Sequence, residues 1–400
     1  MRHLLQRVLQ QDRTFYWKRL SNLRACTQGV RLRTCTTIYS SKVDQCCYPV
    51  TVSQHCLNYR EFHSTSKCLP SSLHSSKSTN SSIARLRPYC TNVTTRHEDG
   101  ELLRDTLDNI SVLEAVSYWT AEFETAGVPE PDASAEYIAA HVLGYKSFSL
   151  ISPLVQNLTA EERTRMSELC QKRMKRMPIQ YILGEWDFRD LNLIMRPPVF
   201  IPRPETEELV EHLWMYIQED LTRQEDELAI LEVGCGSGAI SLSLLQEFPQ
   251  AHCTAVDMTK EAVELTQHNA ERLGLSGRLD VKQMQFNTSA DFETKFDVIV
   301  SNPPYIWTQD METLEREVAG YENYCALHGG TDGMGVIRDI IHTGHRLLKP
   351  GGSIWLEVDP RHPDMIQTYL HNHLQYQLHL TGVYQDFNNR PRFCCLELRE

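Results

Sequence analysis

The sequence contains no apolar run that approaches the roughly eighteen residues needed to cross a bilayer. It also lacks a secretory signal segment, and none of its 13 cysteines forms a C-x-x-C pair with matching histidines. These absences argue against a membrane protein, a zinc site and a secreted disulfide framework. We therefore expect reduced thiols in an intracellular compartment, no metal and no membrane partner.

Acidic residues are nearly absent from the first quarter of the chain. Residues 1–97 contain 15 Lys and Arg but only three acids, so they carry about +12, and residues 98–400 carry about −24. An Arg-rich, Ser-rich leader with an amphipathic start is typical of an organelle transit peptide. The alternative is a disordered basic tail of the kind that binds nucleic acid. We predict a mitochondrial transit peptide and disordered leader over 1–97, and localisation to the matrix.

Apolar residues at three- and four-residue steps begin near residue 99 and recur to Trp119. Pro129 and Pro131 break this run, and further helical patterns cover 135–143 and 160–177. The pattern predicts a small helical domain over 98–180. Two short strands, 181–188 and 191–195, then predict a hairpin linker over 181–201.

Strand and helix patterns alternate through residues 202–400. Strands are predicted at 228–233, 253–256, 280–285, 296–301, 353–358, 377–383 and 392–398. Helices are predicted at 207–219, 239–248, 260–273 and 334–348. Such alternation predicts an α/β fold with a mostly parallel, doubly wound sheet, which the last two strands close as an antiparallel hairpin.

A glycine loop, formed by Gly234, Cys235, Gly236, Ser237 and Gly238, connects a predicted strand to a predicted helix. Glycines let the backbone turn sharply and let a ligand approach closely. A dinucleotide site would have G-x-G-x-x-G and would bind a pyrophosphate. The G-x-G-x-G pattern found here is associated with S-adenosylmethionine, which has no phosphate. The alternative is a tight turn that binds no ligand.

Asp257 ends the next predicted strand, about twenty residues beyond the glycines. A carboxylate at this place can accept hydrogen bonds from both ribose hydroxyls of a cofactor. The alternative is that Asp257 only caps the helix that begins near Thr259. The glycine loop at the matching distance favours cofactor binding.

Asn302, Pro303, Pro304 and Tyr305 follow a predicted buried strand. A planar NH₂ group is a poor nucleophile because its lone pair is delocalised. The Asn302 side-chain oxygen and the Pro303 carbonyl can each accept one of its N–H groups, which directs the lone pair at a sulfonium methyl. Tyr305 can stack on the flat group. The alternative, a proline-stiffened turn, is weakened because ligands bind at the C-terminal edge of such sheets.

These motifs resemble those of the HemK/PrmC-type release factor glutamine N5-methyltransferases, over about residues 105–400. The matching segments are 178–184 with Trp186 and Phe188, 200–207, 234–238, 302–305, 326–333 and 348–352. The resemblance implies a Rossmann-like class I methyltransferase with a mostly parallel seven-stranded sheet and an antiparallel terminal strand. It also implies that the small N-terminal helical domain recognises the substrate, and that residues 202–400 are the catalytic domain.

The resemblance also assigns roles. The three glycines of the loop and Asp257 would hold S-adenosylmethionine, and Phe286 would stand near the adenine. Asn302, Pro303, Pro304 and Tyr305 would hold the glutamine of a Gly-Gly-Gln loop on a class I peptide chain release factor. With the leader, this implies the mitochondrial member of the family. Two positions depart from the family pattern: Gln285 replaces an acidic residue, and Asn323 replaces a proline.

Two other functions use the same motifs. An adenine-N6 methyltransferase acting on DNA or RNA would meet the same chemical problem with a flipped base. The charge of about −24 over residues 98–400 argues against it, because nucleic-acid binders usually present a basic surface. A non-catalytic cofactor-binding protein would not need the 302–305 loop. We expect a protein partner with a basic surface, and no direct nucleic-acid contact.

Overall fold

The computed structural model describes residues 110–152, 156–219 and 227–399. These ranges belong to one compact unit, Thr94–Glu400. The predicted leader, and the first helical residues around Leu102 and Leu107, lie outside the described residues. Within the described ranges, no helix is both long enough and apolar enough to cross a membrane.

The described part of the helical region contains four α-helices: α1 (Val112–Thr125), α2 (Pro131–Val142), α3 (Ala160–Met174) and α4 (Ile179–Leu183). Capping boxes start α1 at Ser111 and α3 at Thr159. Pro131 is the first residue of α2, where its missing N–H costs no hydrogen bond. The proline therefore starts this helix four residues earlier than the sequence pattern predicts. Phe123 and Ile138 belong to the buried core that joins these helices.

The predicted hairpin is present but shorter than expected. It pairs β1 (Glu185–Phe188) with β2 (Leu191–Ile194) in antiparallel register. Residues 181–183 were predicted as strand, and this is wrong, because they belong to the helical turn α4. Gly184 ends that turn in the left-handed conformation at φ 78°. A short apolar run does not by itself distinguish a strand from a buried helical turn.

The region after the hairpin alternates strands and helices as predicted. Its first half contains α5 (Pro204–Glu219), β3 (Leu228–Val233), α6 (Ala239–Glu247), β4 (Ala251–Asp257), α7 (Lys260–Leu273), β5 (Leu279–Gln283) and β6 (Phe296–Ser301). Its second half contains α8 (Arg316–Tyr321), α9 (Tyr324–Leu327), α10 (Gly335–Leu347), β7 (Leu348–Glu357), α11 (His362–Asn372), β8 (Leu378–Gln385) and β9 (Pro391–Leu398). Short 3₁₀ turns cover Phe148–Leu150, Ser276–Arg278, Thr308–Thr313 and Leu374–Tyr376. The helices α8, α9 and α11 were absent from the sequence prediction.

The seven strands β3 to β9 form one sheet in the order β5-β4-β3-β6-β7-β9-β8. All neighbours are parallel except at β9, which is antiparallel to β7 and β8. The predicted fold class, a mostly parallel seven-stranded sheet whose terminal strand is antiparallel, is confirmed. The strand order reverses direction at β3 and β6, and in such sheets ligands bind at the C-terminal ends of the strands around this point.

Apolar layers cover both faces of the sheet. Leu209 of α5 and Leu244 of α6 pack in the core on one face. Ile341 of α10 and Ile366 of α11 pack in the core on the other face. Because both faces are buried, β3 and β6 are nearly continuous apolar runs, as parallel strands usually are. The polar residues that follow them are therefore held in fixed places at the edge of the sheet.

Candidate active site

A cavity of about 340 Å³ lies where β3, β4 and β6 end. Its volume falls in the range of small-molecule sites. The structure brings together at its wall nearly every residue that the sequence analysis singled out. These are Gly234, Cys235, Gly236, Ser237, Asp257, Phe286, Asn302, Pro303, Pro304 and Tyr305. Gly238 does not line the cavity, and instead lies directly before the first residue of α6.

Backbone hydrogen bonds give the glycine loop its shape. The N–H groups of Gly234 and Cys235 donate to the Val256 carbonyl, over 2.8 and 3.1 Å, and tie the end of β3 to the end of β4. Gly238 has φ 82°, and a Cβ at this position would lie 2.9 Å from Leu242 Cδ1. The third glycine therefore permits both a left-handed turn and close packing on α6. The first part of the loop is left facing the cavity.

Asp257 connects this loop to the start of α7. Its Oδ1 accepts from the N–H and the hydroxyl of Thr259, over 2.9 and 2.8 Å. Its Oδ2 accepts from the Gly236 N–H over 3.1 Å. A carboxylate has about four acceptor sites, so these three bonds leave about one for a ribose hydroxyl. The capping role and a cofactor-binding role are therefore compatible.

Glu232 is a buried carboxyl group on the β3 side of the cavity, only 1% exposed. One of its oxygens accepts from the Ser241 N–H over 3.1 Å. Burial raises the pKa of Glu232 to about 8, because the charged form loses its hydration. This group thus holds the first turn of α6 beside the glycine loop.

Asn302 lies at the other end of the cavity, just after β6. Its amide Nδ2 donates to Thr206 Oγ1 over 3.1 Å. The Thr206 hydroxyl in turn donates to Glu357 Oε2 over 2.8 Å, and the Tyr305 hydroxyl donates to Glu357 Oε1 over 3.2 Å. Asn302 and Tyr305 are therefore both anchored to one buried carboxylate. Thr206 belongs to the family segment 200–207, but the sequence assigned it no role of its own and carried no signal for Glu357.

Comparison with known proteins identifies the family. The chain is 47% identical over 295 residues to the MTRF1L release factor glutamine methyltransferase of Homo sapiens, which covers 71% of this chain and 86% of that protein. It is 35% identical over 247 residues to the release factor glutamine methyltransferase of Koribacter versatilis, which covers 60% and 86%. The chain belongs to the release factor glutamine methyltransferase family.

Two sequence families match the chain in the order expected for this methyltransferase family. Residues 114–184 match the PrmC N-terminal domain, and residues 224–379 match a methyltransferase domain. Among solved structures, a ribosomal protein L11 methylase from Lactobacillus delbrueckii subsp. bulgaricus aligns with 16% identity and a TM-score of 0.35. That alignment covers 52% of this chain and 84% of the methylase. The resemblance inferred from the sequence motifs is confirmed by the family matches.

In this methyltransferase, a second loop supports the 302–305 segment from behind. Ile306 N–H donates to the Leu327 carbonyl over 3.0 Å, and Gly329 N–H donates to the Ile306 carbonyl over 2.9 Å. Gly333 has φ 68°, and a Cβ there would overlap the Tyr305 carbonyl oxygen. Residue 333 must therefore be glycine for this close approach to the Tyr305 carbonyl.

The rim of the cavity is fixed by contacts between distant loops. Arg203 makes an ion pair with Glu322 over 2.5 Å, and its guanidinium lies 4.9 Å from the centre of the Phe200 ring. The Asn323 N–H donates to the Pro198 carbonyl over 2.8 Å. A proline has no N–H and could not make this bond, so the departure from the family pattern adds a contact. Phe200 and Asn323 both line the cavity.

Metal-ligating side chains and cysteines are the other reactive groups to consider in this methyltransferase. Across the residues that the structure describes, no group of three His, Cys, Asp or Glu side chains is arranged to hold a metal ion. The six cysteines in those ranges form no disulfide with one another, and Cys325 is the exposed one among them.

Proposed function

We propose that this chain methylates the side-chain amide nitrogen, N5, of the glutamine in the Gly-Gly-Gln motif of mitochondrial class I peptide chain release factors. The methyl donor is S-adenosylmethionine. The observation that carries the proposal is the anchored amide of Asn302 at the end of β6, inside a cavity that also contains the glycine loop. Family membership supports glutamine as the methylated residue and a release factor as the substrate.

The cofactor half of the cavity has groups that fit S-adenosylmethionine. Gly234 and Gly236 would pack against its methionine portion, Asp257 would bind a ribose hydroxyl, and Phe286 would lie against the adenine. Phe286 is 7% exposed and offers an apolar surface there. When bound, the cofactor supplies an electrophilic methyl group on a sulfonium sulfur.

The substrate half of the cavity would bind the glutamine amide. Asn302 Oδ1 and the Pro303 carbonyl would each accept one N–H, which fixes the plane of the NH₂ group. Two acceptors also stabilise the positive charge that develops on nitrogen as the N–C bond forms and the S–C bond breaks. The extra proton leaves the nitrogen after transfer, so no strong base is required beforehand. Tyr305 would pack against the flat amide.

The helical region is proposed as the substrate-recognition domain, over 98–180, with 181–201 as linker and 202–400 as catalytic domain. Arg173 and Arg176 of this region reach Glu317 of α8 over 3.1 and 2.8 Å. Arg173 and Glu317 are both less than a tenth exposed. Breaking a buried pair of this kind is costly, so the pairs hold the helical region against the segment that leads to the rim.

We further propose that residues 1–97 direct the chain to the mitochondrial matrix. The support is the leader's composition, with 15 basic and three acidic residues. A fluorescent fusion of the full chain should accumulate in the matrix, and the same fusion without residues 1–97 should not. Equal matrix accumulation of both fusions would contradict the role of the leader.

The direct test is mass spectrometry of a release factor incubated with this protein and S-adenosylmethionine. We expect one methyl group on the glutamine of the Gly-Gly-Gln peptide, and none on a matched factor that has Ala in its place. A DNA oligonucleotide in a parallel reaction tests adenine-N6 methylation, which family membership does not favour. Methyl transfer to the oligonucleotide and not to the factor would overturn the proposal.

A further inference from the structure

Three side chains from three separate segments form a hydrogen-bonded chain behind the cavity. Asn302 follows β6, Thr206 lies in the first turn of α5, and Glu357 is the last residue of β7. Thr206 and Glu357 are 2% and 1% exposed. The chain runs from Asn302 Nδ2 to Thr206 Oγ1 over 3.1 Å, and from the Thr206 hydroxyl to Glu357 Oε2 over 2.8 Å.

This chain has a direction that follows from proton counting. A carboxylate only accepts hydrogen bonds, so Glu357 takes the one hydroxyl proton of Thr206. The Thr206 oxygen can then only accept, and its neighbour must be the NH₂ end of Asn302. The two ends of an Asn amide are almost the same size, so packing alone would not choose between them. Among the described residues no donor contacts Asn302 Oδ1, which is left for a ligand.

We propose that Thr206 and Glu357 are positioning residues that present the oxygen, and not the nitrogen, of Asn302 to the substrate. The inference rests on the proposed function, because that function requires an acceptor at this place. If the amide were reversed, its NH₂ group would face the NH₂ group of the substrate. Two donors would then meet in a partly buried site, and the acceptor that fixes the substrate lone pair would be lost.

The other oxygen of the same carboxylate accepts a hydrogen bond from Tyr305. The Tyr305 hydroxyl donates to Glu357 Oε1 over 3.2 Å, so one buried group orients both side chains. The Arg392 guanidinium lies 5.9 Å from the centre of the Tyr305 ring and donates to the Val358 carbonyl over 3.1 Å. Arg392 thus places positive charge near Glu357 from β9 and favours its charged form.

The charge state of Glu357 should make the hydrogen-bonded chain of Glu357, Thr206 and Asn302 sensitive to pH. Burial raises the pKa of Glu357 to about 7, and Glu205 of α5 adds to this, while Thr206, Arg392 and Tyr305 oppose it. Below this pKa, a protonated Glu357 can donate to Thr206, which can then donate to Asn302 and reverse its amide. Methyl transfer should therefore weaken as the pH falls through about 7.

The first test compares Thr206→Val with Thr206→Ser. Valine has nearly the shape of threonine but no hydroxyl, so we expect kcat to fall about 10- to 100-fold. Serine keeps the hydroxyl, and its kcat should stay within about threefold of the wild type. Cofactor Kd, measured by calorimetry, should be unchanged in both. A Thr206→Val variant with wild-type kcat would overturn the inference while the proposed function stands.

The second test asks whether Thr206 acts through Asn302. In an Asn302→Ala background, Thr206→Val should cause no further loss of rate, because the group that it orients is gone. If Thr206→Val slowed the Asn302→Ala variant by the same factor as the wild type, the two residues would act independently. That result would refute the positioning role.

A third test needs no change at Thr206 and serves even if Thr206→Val folds poorly. In Glu357→Gln, a neutral amide replaces the titrating group, so the fall in kcat below about pH 7 should disappear. An unchanged inflection in this variant would rule out Glu357 as the controlling group. Failure of the wild-type protein to methylate the Gly-Gly-Gln glutamine at any pH would instead refute the proposed function itself.

Discussion

The two halves of the cavity are built in different ways. The proposed cofactor half uses residues 234–237 and Asp257, which are near one another in sequence. The backbone N–H groups of Gly234 and Cys235 donate to the Val256 carbonyl, and that of Gly236 donates to the Asp257 carboxylate. The proposed substrate half uses Thr206, Asn302 and Glu357, which are far apart in sequence and are joined through side chains. Local sequence therefore specifies one half, and the topology of the sheet assembles the other. The halves should also fail differently when they are mutated.

The largest expected effect lies in the substrate half. Asn302→Ala removes the side-chain acceptor, and we expect kcat to fall about 10³-fold, as for the loss of one preorganised hydrogen-bonding group. Cofactor Kd should change by less than about threefold, because Asp257 and the glycine loop are untouched. Rapid-quench kinetics and calorimetry measure the two quantities. An equal loss of both would show that the two halves are not separable.

Glu232 is a buried side chain of the cofactor half, and its effect on the pH dependence of stability can be measured. Its pKa is raised from 4.5 to about 8, so the native state holds a proton that the unfolded state has released. Stability should therefore fall as the pH rises from about 4.5 to about 8. Glu232→Gln should remove a decline on the order of 5 kcal/mol. Urea unfolding at several pH values tests this, and parallel pH curves for both proteins would contradict it.

Replacing Asp257 should have the opposite effect to replacing Asn302, with a change in cofactor Kd and little change in kcat. Asp257→Ala removes the acceptor for a ribose hydroxyl, and we expect cofactor Kd to rise about 10- to 100-fold. At saturating cofactor, kcat should stay within about threefold of the wild type, because the bond is the same in the ground and transition states. Asp257→Asn is the matched control, since it keeps one acceptor oxygen. A fall in kcat as large as the rise in cofactor Kd would contradict the assignment of Asp257 to the cofactor half alone.

The smallest expected effect separates two glycines of the same loop. Gly236 and Gly238 both have positive φ, so alanine is strained at either. Only at Gly238 would the new Cβ meet Leu242 at 2.9 Å and Thr266 at 3.1 Å. We expect Gly238→Ala to be less stable than Gly236→Ala by about 1 kcal/mol in urea unfolding. Equal stabilities would mean that α6 shifts to make room.

Much of the fold could be predicted because its strands are apolar runs of clear length with polar turns between them. The seven strands and the helices α5, α6, α7 and α10 were predicted in this way. The helical turn at 181–183 was predicted as strand, and α11 was missed, because their short apolar patterns do not show a clear helical period. The start of α2 was misplaced because Pro131 was interpreted as a helix breaker.

The candidate site was predictable to the extent that it is local. Residues 234–238 and 302–305 carry their chemistry in contiguous motifs, and the structure places both at one cavity. The segment 200–207 contains Thr206 but does not link it to Asn302. Thr206 and Glu357 lie 96 and 55 positions from Asn302 along the chain. A threonine at a helix start and a carboxylate at a strand end have ordinary local roles. Their role in orienting Asn302 arises only from the contacts that they make with each other and with Asn302 in the folded protein.

The sequence by itself determined the α/β class, the glycine loop, the proline-containing loop at 302–305 and the family, because each depends on neighbouring residues and on local backbone preference. The tertiary structure alone decided which end of the Asn302 amide faces the cavity. That choice depends on a buried carboxylate at the end of a different strand, and its hydrogen-bonding direction exists only once β6, β7 and α5 have packed together.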